Sequence, residues 1–109
     1  MDSKETFSSG AVREVKDGRR YDLIPFEALA RLAATYAEGA KKYSDRNWEK
    51  GISFCNLYNH IMMHLESYQQ GDRSEDHLAH AAWGLFAMMH HEQHHPEMDD
   101  WSKGGDTNV

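Results

Sequence analysis

Two groups of side chains in this sequence are of types that do chemistry. Glu38, His64, Asp76 and His80 are carboxylates and imidazoles, the donors that hold divalent cations. Oxygen donors favour Mg²⁺ or Mn²⁺, and each added imidazole shifts the preference towards Mn²⁺ or another transition ion. The second group is continuous. Residues 38–51 hold Lys41, Lys42, Arg46 and Lys50 with Tyr43, Trp48, Asn47 and two glycines. Lys41 and Lys42 offer point charge to a phosphate and Arg46 offers a planar fork. Tyr43 and Trp48 have faces on which a base can stack, and Asn47 has both donors and acceptors for a base edge. Each group also has a plain structural reading. Asp76 complements a helix dipole, His64 makes one interhelical hydrogen bond, the lysines sit at a helix C-terminus and Trp48 anchors the core.

A third pattern, His91-Glu92-Gln93-His94-His95, matches the H-E-x-x-H string of zinc proteases. The match is degenerate within a run of histidines, a proline follows at once, and no third ligand on a zincin scaffold fits the remaining chain. A polar helix end, or casual metal binding by His90 with His94 or His91 with His95, accounts for it better.

The elements that must position these groups follow from periodicity. Residues 1–9 are polar and read as a disordered arm. From Gly10 the chain reads as an ordered arm, with Asp17-Gly18 as its turn signal, carrying Arg13 and Arg19. Pro25 suits a first helical position. Apolar residues at Phe26, Leu29, Ala30, Ala33, Tyr36, Ala37 and Ala40 then predict a helix to about Lys42. Ser53 is the predicted N-cap of a second helix, to about Gln70, with a core stripe of Phe54, Leu57, Tyr58, Ile61, Leu65 and Tyr68. Gly71-Asp72 stops it, and Asp72 with Glu75 has the form of a capping box for a third helix, from about Ser74 to His94. That helix is apolar nearly all round, with Leu78, Ala82, Leu85 and Met89 on one side, and asks for partners on both faces. The short turn at Gly71 brings His64 beside Asp76. Residues 96–109 read as a flexible acidic tail in which Trp101 alone is suited to dock. The fold class is all-α: one domain over residues 10–95, a small bundle of three main helices with an N-terminal arm, completed by oligomerisation because 109 residues bury little surface alone.

Composition narrows the partners. The formal charge is −6, yet residues 13–50 hold nine of the twelve cations, and everything after Gly51 has only Arg73 and Lys103. An acidic protein with one basic segment suits a small anionic ligand and is ill-suited to duplex nucleic acid, which needs a broad cationic face. No apolar run approaches the roughly 20 residues that span a bilayer, and the first residues lack the apolar segment of a signal peptide. The single Cys55 cannot form an internal disulfide. A cytoplasmic location is expected.

Taken in order, Gly10-Ala11-Val12-Arg13-Glu14, residues 17–25 (DGRRYDLIP), Gly39-Ala40-Lys41-Lys42-Tyr43, Arg46-Asn47-Trp48-Glu49-Lys50-Gly51 and residues 76–83 (DHLAHAAW) resemble the N-terminal domain family named for phage dATP/dGTP diphosphohydrolases. The resemblance covers about residues 10–90 and relates the chain to the all-α MazG-like nucleotide pyrophosphohydrolases. It implies a helical homo-oligomer, a dimer or tetramer, that uses a divalent metal, Mg²⁺ or Mn²⁺. The implied reaction cuts a purine deoxynucleoside triphosphate between its α- and β-phosphates, in a phage-infected host's cytoplasm. With the clustering above, the metal would be held by Glu38, His64, Asp76 and His80. The triphosphate would be met by Lys41, Lys42 and Arg46, and the base or sugar by Tyr43, Asn47 and Trp48. Arg13 and Arg19 would close over the ligand, and Glu38 and Lys42 would be the catalytic pair. The E-E-x-x-E metal string of MazG-like enzymes is absent from this chain. Its E-x-x-D matches, Glu14 to Asp17 and Glu97 to Asp100, fall in segments read as outside the core. The alternative is therefore a protein that binds or sequesters a nucleotide without cleaving it.

Overall fold

Three helices form the body of the protein in a computed structural model that describes residues 4–14 and 18–101. They are α1 (Phe26–Lys42), α2 (Phe54–Gln69) and α3 (His77–His94). Helix α3 is central, packing against α2 along its length and against α1. No helix among the described residues is long and apolar enough to cross a membrane.

The helix ends show why the chain breaks where it does. Helix α1 follows the extended Pro25, carries Lys41 and Lys42 in its last turn, and closes with the Tyr43 N–H on the Gly39 carbonyl at 2.9 Å. Cations there oppose the negative end of the helix dipole. Ser53 caps α2 as expected, its hydroxyl accepting from the Asn56 N–H at 3.3 Å. Helix α3 starts later than the predicted Ser74. Asp76 is its N-cap, accepting from the Ala79 N–H at 3.2 Å, while Asp72 is spent in the turn before it on the Ser74 N–H at 2.8 Å.

The core is built from small surfaces. Leu57 and Ile61 of α2 and Ala81, Gly84 and Ala87 of α3 are all buried, and Ile61 lies against Gly84. A Cβ on Gly84 would stand 2.5 Å from Ile61 Cγ1, so the helices come together there because the glycine has none. The larger apolar residues of α3 lie outside this contact. Leu78, Leu85, Phe86 and Met89 are exposed, as are Tyr58 and Leu65 of the expected α2 stripe.

Helix α1 is rotated away from its apolar stripe. Phe26 is 81% exposed and Leu29 44%, whereas the one buried residue is Leu32, outside that stripe. Polar contacts account for the rotation. The Arg31 guanidinium donates to both oxygens of Asp76, at 2.9 and 2.6 Å, and Glu38 meets the His80 ring, so the Arg31–Glu38 edge faces α3.

Both ends of the chain depart from expectation. Lys4–Thr6 (β1), inside the segment read as disordered, pairs antiparallel with Val12–Glu14 (β2). The turn between them uses Gly10 at φ 94°, not Asp17-Gly18, and Asp17 lies outside the described residues. The hairpin is exposed rather than packed across the helices. At the other end, Pro96–Met98 forms a 3₁₀ turn, Asp100 accepts from the Cys55 N–H at 3.0 Å, and Trp101 packs edge-on to Tyr58. Trp101, the tail residue singled out for docking, thus rests on α2, and residues 102–109 of the expected flexible tail lie outside the described residues.

Candidate functional site

A cavity of about 970 Å³ lies between the second half of α1, the following loop, one side of α2 as far as His64 and one side of α3. The loop is shaped by three local features. Arg46 adopts the left-handed conformation at φ 59°, Asn47–Lys50 forms a 3₁₀ turn, and Gly51 at φ 122° leads into α2. Trp48 holds the loop down by meeting Tyr36, Trp83, His90 and His91 with ring centroids 4.9 to 6.4 Å apart. The His95 Nε2–H adds a bond to the Glu49 carbonyl at 2.8 Å.

The histidine run at the end of α3 is therefore the dock for this loop. His91 is fully buried, neither ring nitrogen has a hydrogen-bond partner, and burial holds its pKa below the ordinary imidazole value. The buried His91 ring packs against Trp48 as part of the core, and the convergent ligand group found among the described residues lies elsewhere, at His64, Glu75 and His80.

Imidazoles and carboxylates gather at the other side of the cavity. His64, Glu75 and His80 each offer a ligand atom within 4.8 Å of the others. His80 is held between two carboxylates, with Nδ1 2.8 Å from Glu75 Oε1 and Nε2 3.2 Å from Glu38 Oε1. A neutral imidazole has one N–H, so a proton or a cation is needed between its second nitrogen and the remaining carboxylate. Burial and the neighbouring rings of His60 and His80 hold His64 below the ordinary imidazole pKa, which keeps it neutral and able to donate a lone pair. His64 Nδ1 lies 2.8 Å from His77 Nδ1, and His77 Nε2 lies 3.0 Å from Asp72 Oδ2.

The cavity joins the two groups named from sequence. Glu38, Lys42, Tyr43, Arg46, Asn47, Trp48, His64 and His80 all line it. A file of ring contacts links its two sides, from Tyr36 through Trp48, Trp83, His60 and His64 to His80, with centroids 4.5 to 6.4 Å apart. Trp48 is consequently a wall held on several edges. Tyr43, 65% exposed with Lys42 Nζ 5.4 Å from its ring centre, is the freer face for a base.

Four residues named from sequence stand elsewhere. Asp76 is not among the convergent ligand atoms, because both its oxygens are on Arg31 and one also caps α3. The Arg31 hydrogen bonds pull its pKa down to about 2. Lys41 does not line the cavity, Arg13 is on the exposed hairpin, and Arg19 precedes the 3₁₀ turn at Tyr21–Leu23. Residues missed from sequence include Glu75, His60, His77 and Trp83. Glu75 was assigned to a capping box because the helix start was placed three residues early. The start at His77 leaves the Glu75 carboxylate to meet the His80 ring instead.

Residues 9–101 match the family described as dATP/dGTP diphosphohydrolase, N-terminal. No curated protein and no solved structure matches the chain.

Proposed function

The chain belongs to the dATP/dGTP diphosphohydrolase N-terminal family, and on that premise we propose that it hydrolyses purine deoxynucleoside triphosphates to the monophosphate and pyrophosphate in this cavity. One observation carries the reading: the cavity that holds the imidazole–carboxylate cluster is lined also by Lys42, Arg46 and Tyr43. Anionic phosphates and an aromatic base thus have complementary walls in one space.

The donor set fits a divalent cation, Mg²⁺ or Mn²⁺, with His64, Glu75, His80 and Glu38 as the residues that would hold it. When bound, such an ion supplies charge to offset the triphosphate and lowers the pKa of a water. The chain's own groups do the rest. Lys42 and Arg46 lie where they can stabilise charge growing on the phosphates. Glu38, exposed and with one oxygen turned to His80, can take a proton from the attacking water. That water's oxygen bonds to phosphorus as the bond to the bridging oxygen breaks, and pyrophosphate leaves.

The test is to incubate the protein with each deoxynucleoside triphosphate and Mg²⁺ or Mn²⁺ and weigh the products. Pyrophosphate and a purine deoxynucleoside monophosphate are expected, with Glu75→Gln reducing turnover by about 10²-fold or more. No pyrophosphate from any nucleotide would overturn the enzyme reading. Nucleotide bound but recovered unchanged would establish the sequestering alternative, which the absent E-E-x-x-E string favours.

A further inference from the structure

Arg46 lines the cavity on a backbone that its own side chain does not hold. Among the described residues it is the one non-glycine with a positive φ, 59°, a conformation that a Cβ disfavours and that persists only where the surroundings impose it. Its side chain is 79% exposed and pairs within the loop, with Glu49 at 3.4 Å. The hold on this loop is exerted on the residues after Arg46.

Those residues are gripped from outside the cavity by the turn that follows α3. The His95 Nε2–H donates to the Glu49 carbonyl at 2.8 Å. Three residues on, Met98 lies against the backbone of Gly51, where an added Cβ would stand 3.0 Å from Met98 Cε and 3.3 Å from its sulfur. His95 and Met98 are tied to each other, the Met98 N–H donating to the His95 carbonyl at 2.8 Å across the 3₁₀ turn Pro96–Met98. The chain beyond is secured to α2, with Asp100 accepting from the Cys55 N–H and Trp101 edge-on to Tyr58. Neither His95 nor Met98 lines the cavity.

We propose that His95 and Met98 are positioning residues, a clamp that holds the loop in the shape that presents Arg46 and Asn47 to a bound nucleotide. The claim rests on the nucleotide reading of the cavity. It adds a determinant of affinity that lies after α3 and touches no ligand. With the clamp released, Arg46 relaxes out of the left-handed conformation, and binding draws on only the fraction of molecules whose loop is correctly shaped. Trp48 stays docked on His90 and His91, so the fold survives the release.

The experiment compares the full chain with three variants. His95→Leu removes the donor, His95→Gln returns an amide N–H near the place of Nε2, and Met98→Ala removes the contact on Gly51 while leaving the hydrogen bond. Amide deuterium exchange is followed in the ligand-free proteins. Dissociation constants of dATP and dGTP are measured by calorimetry, first without divalent metal, so that nothing turns over, and then with Mn²⁺. Faster exchange confined to residues 46–53 is expected in His95→Leu and Met98→Ala. The dissociation constant should rise about 5- to 10-fold in His95→Leu, the equivalent of one hydrogen bond, and return towards wild type in His95→Gln. Unchanged exchange overturns the clamp, and so does exchange that rises throughout α2 and α3, since His95 would then merely support the fold. Faster loop exchange with unchanged nucleotide affinity overturns the positioning role. Wild type that binds neither nucleotide under either condition rejects the nucleotide reading and the positioning role with it, while the exchange still decides whether the clamp exists.

Discussion

Arg31 and Asp76 show how one contact decides what a residue can do. Two parallel N–H···O bonds of 2.9 and 2.6 Å tie the end of Asp76 to α1, and the same carboxylate caps α3. Bidentate pairing is among the stronger forms of charged hydrogen bond, but both side chains are partly exposed and screened by solvent, so its net contribution is small. The pair leaves a signature in pH. Asp76 has its pKa lowered from 3.8 to about 2, so the stability it adds is present above pH 3.8 and is lost as pH falls through about 2. Asn at position 76 keeps the cap but not the charge. The unfolding free energy of wild type minus that of Asp76→Asn should therefore be positive near neutrality and shrink to zero below about pH 2. Denaturant melts at a series of pH values measure it, and a difference that stays constant with pH would show that the pair stabilises nothing.

At the scale of elements, the contact of α2 with α3 depends on Gly84. Alanine would ordinarily strengthen a helix interior by about 1 kcal/mol relative to glycine. Here its Cβ would stand 2.5 Å from Ile61 Cγ1 and 3.5 Å from His60 Cδ2, and overpacking of this kind costs about 1–3 kcal/mol. Gly84→Ala should lower the thermal midpoint in spite of its propensity, and because His60 and His64 share that helix it should also weaken ligand binding in the cavity. A midpoint equal to or above wild type would show that the helices can part freely. This element also marks what the sequence could and could not tell. Three helices and the Ser53 cap were legible, because periodicity and capping are local. The buried side of α3 was not, since an all-round apolar helix has no unique face and its small residues were chosen by α2. The turn of α1 onto its Arg31–Glu38 edge was hidden for a similar reason, being set by Asp76 and His80 more than forty residues away. Half of the candidate site was readable as residue types, Glu38, His64 and His80 among them. Glu75 and His77 were lost to a start of α3 placed three residues early, which made Glu75 a cap and left His77 unremarked.

For the whole molecule, the uncovered surface is the fact that needs an answer. Leu78, Leu85 and Met89 lie on the side of α3 away from Gly84 and His80, spaced so that with Ala82 they form a continuous stripe. Phe26 and Leu29 leave α1 in the same condition. Exposed apolar side chains grouped on one helix face are a common mark of an interaction surface. A 4-3-4 spacing of apolar residues on a helix is the pattern that packs against a second helix of the same kind, and a two-fold pair of copies would bury each stripe on its equal. The protein should run as a dimer or larger in size-exclusion chromatography with light scattering. Leu85→Glu together with Met89→Glu should shift it to monomer and lower its thermal midpoint, because the charges would be buried without partners across the two-fold axis. Neither residue lines the cavity, so a monomer that retains nucleotide binding would place the whole site within one chain, whereas loss of binding on dissociation would mean that the cavity walls are held in place by the second copy. Wild type running as a monomer with an unchanged midpoint in the double variant would leave the stripe without a structural role and reject the dimer.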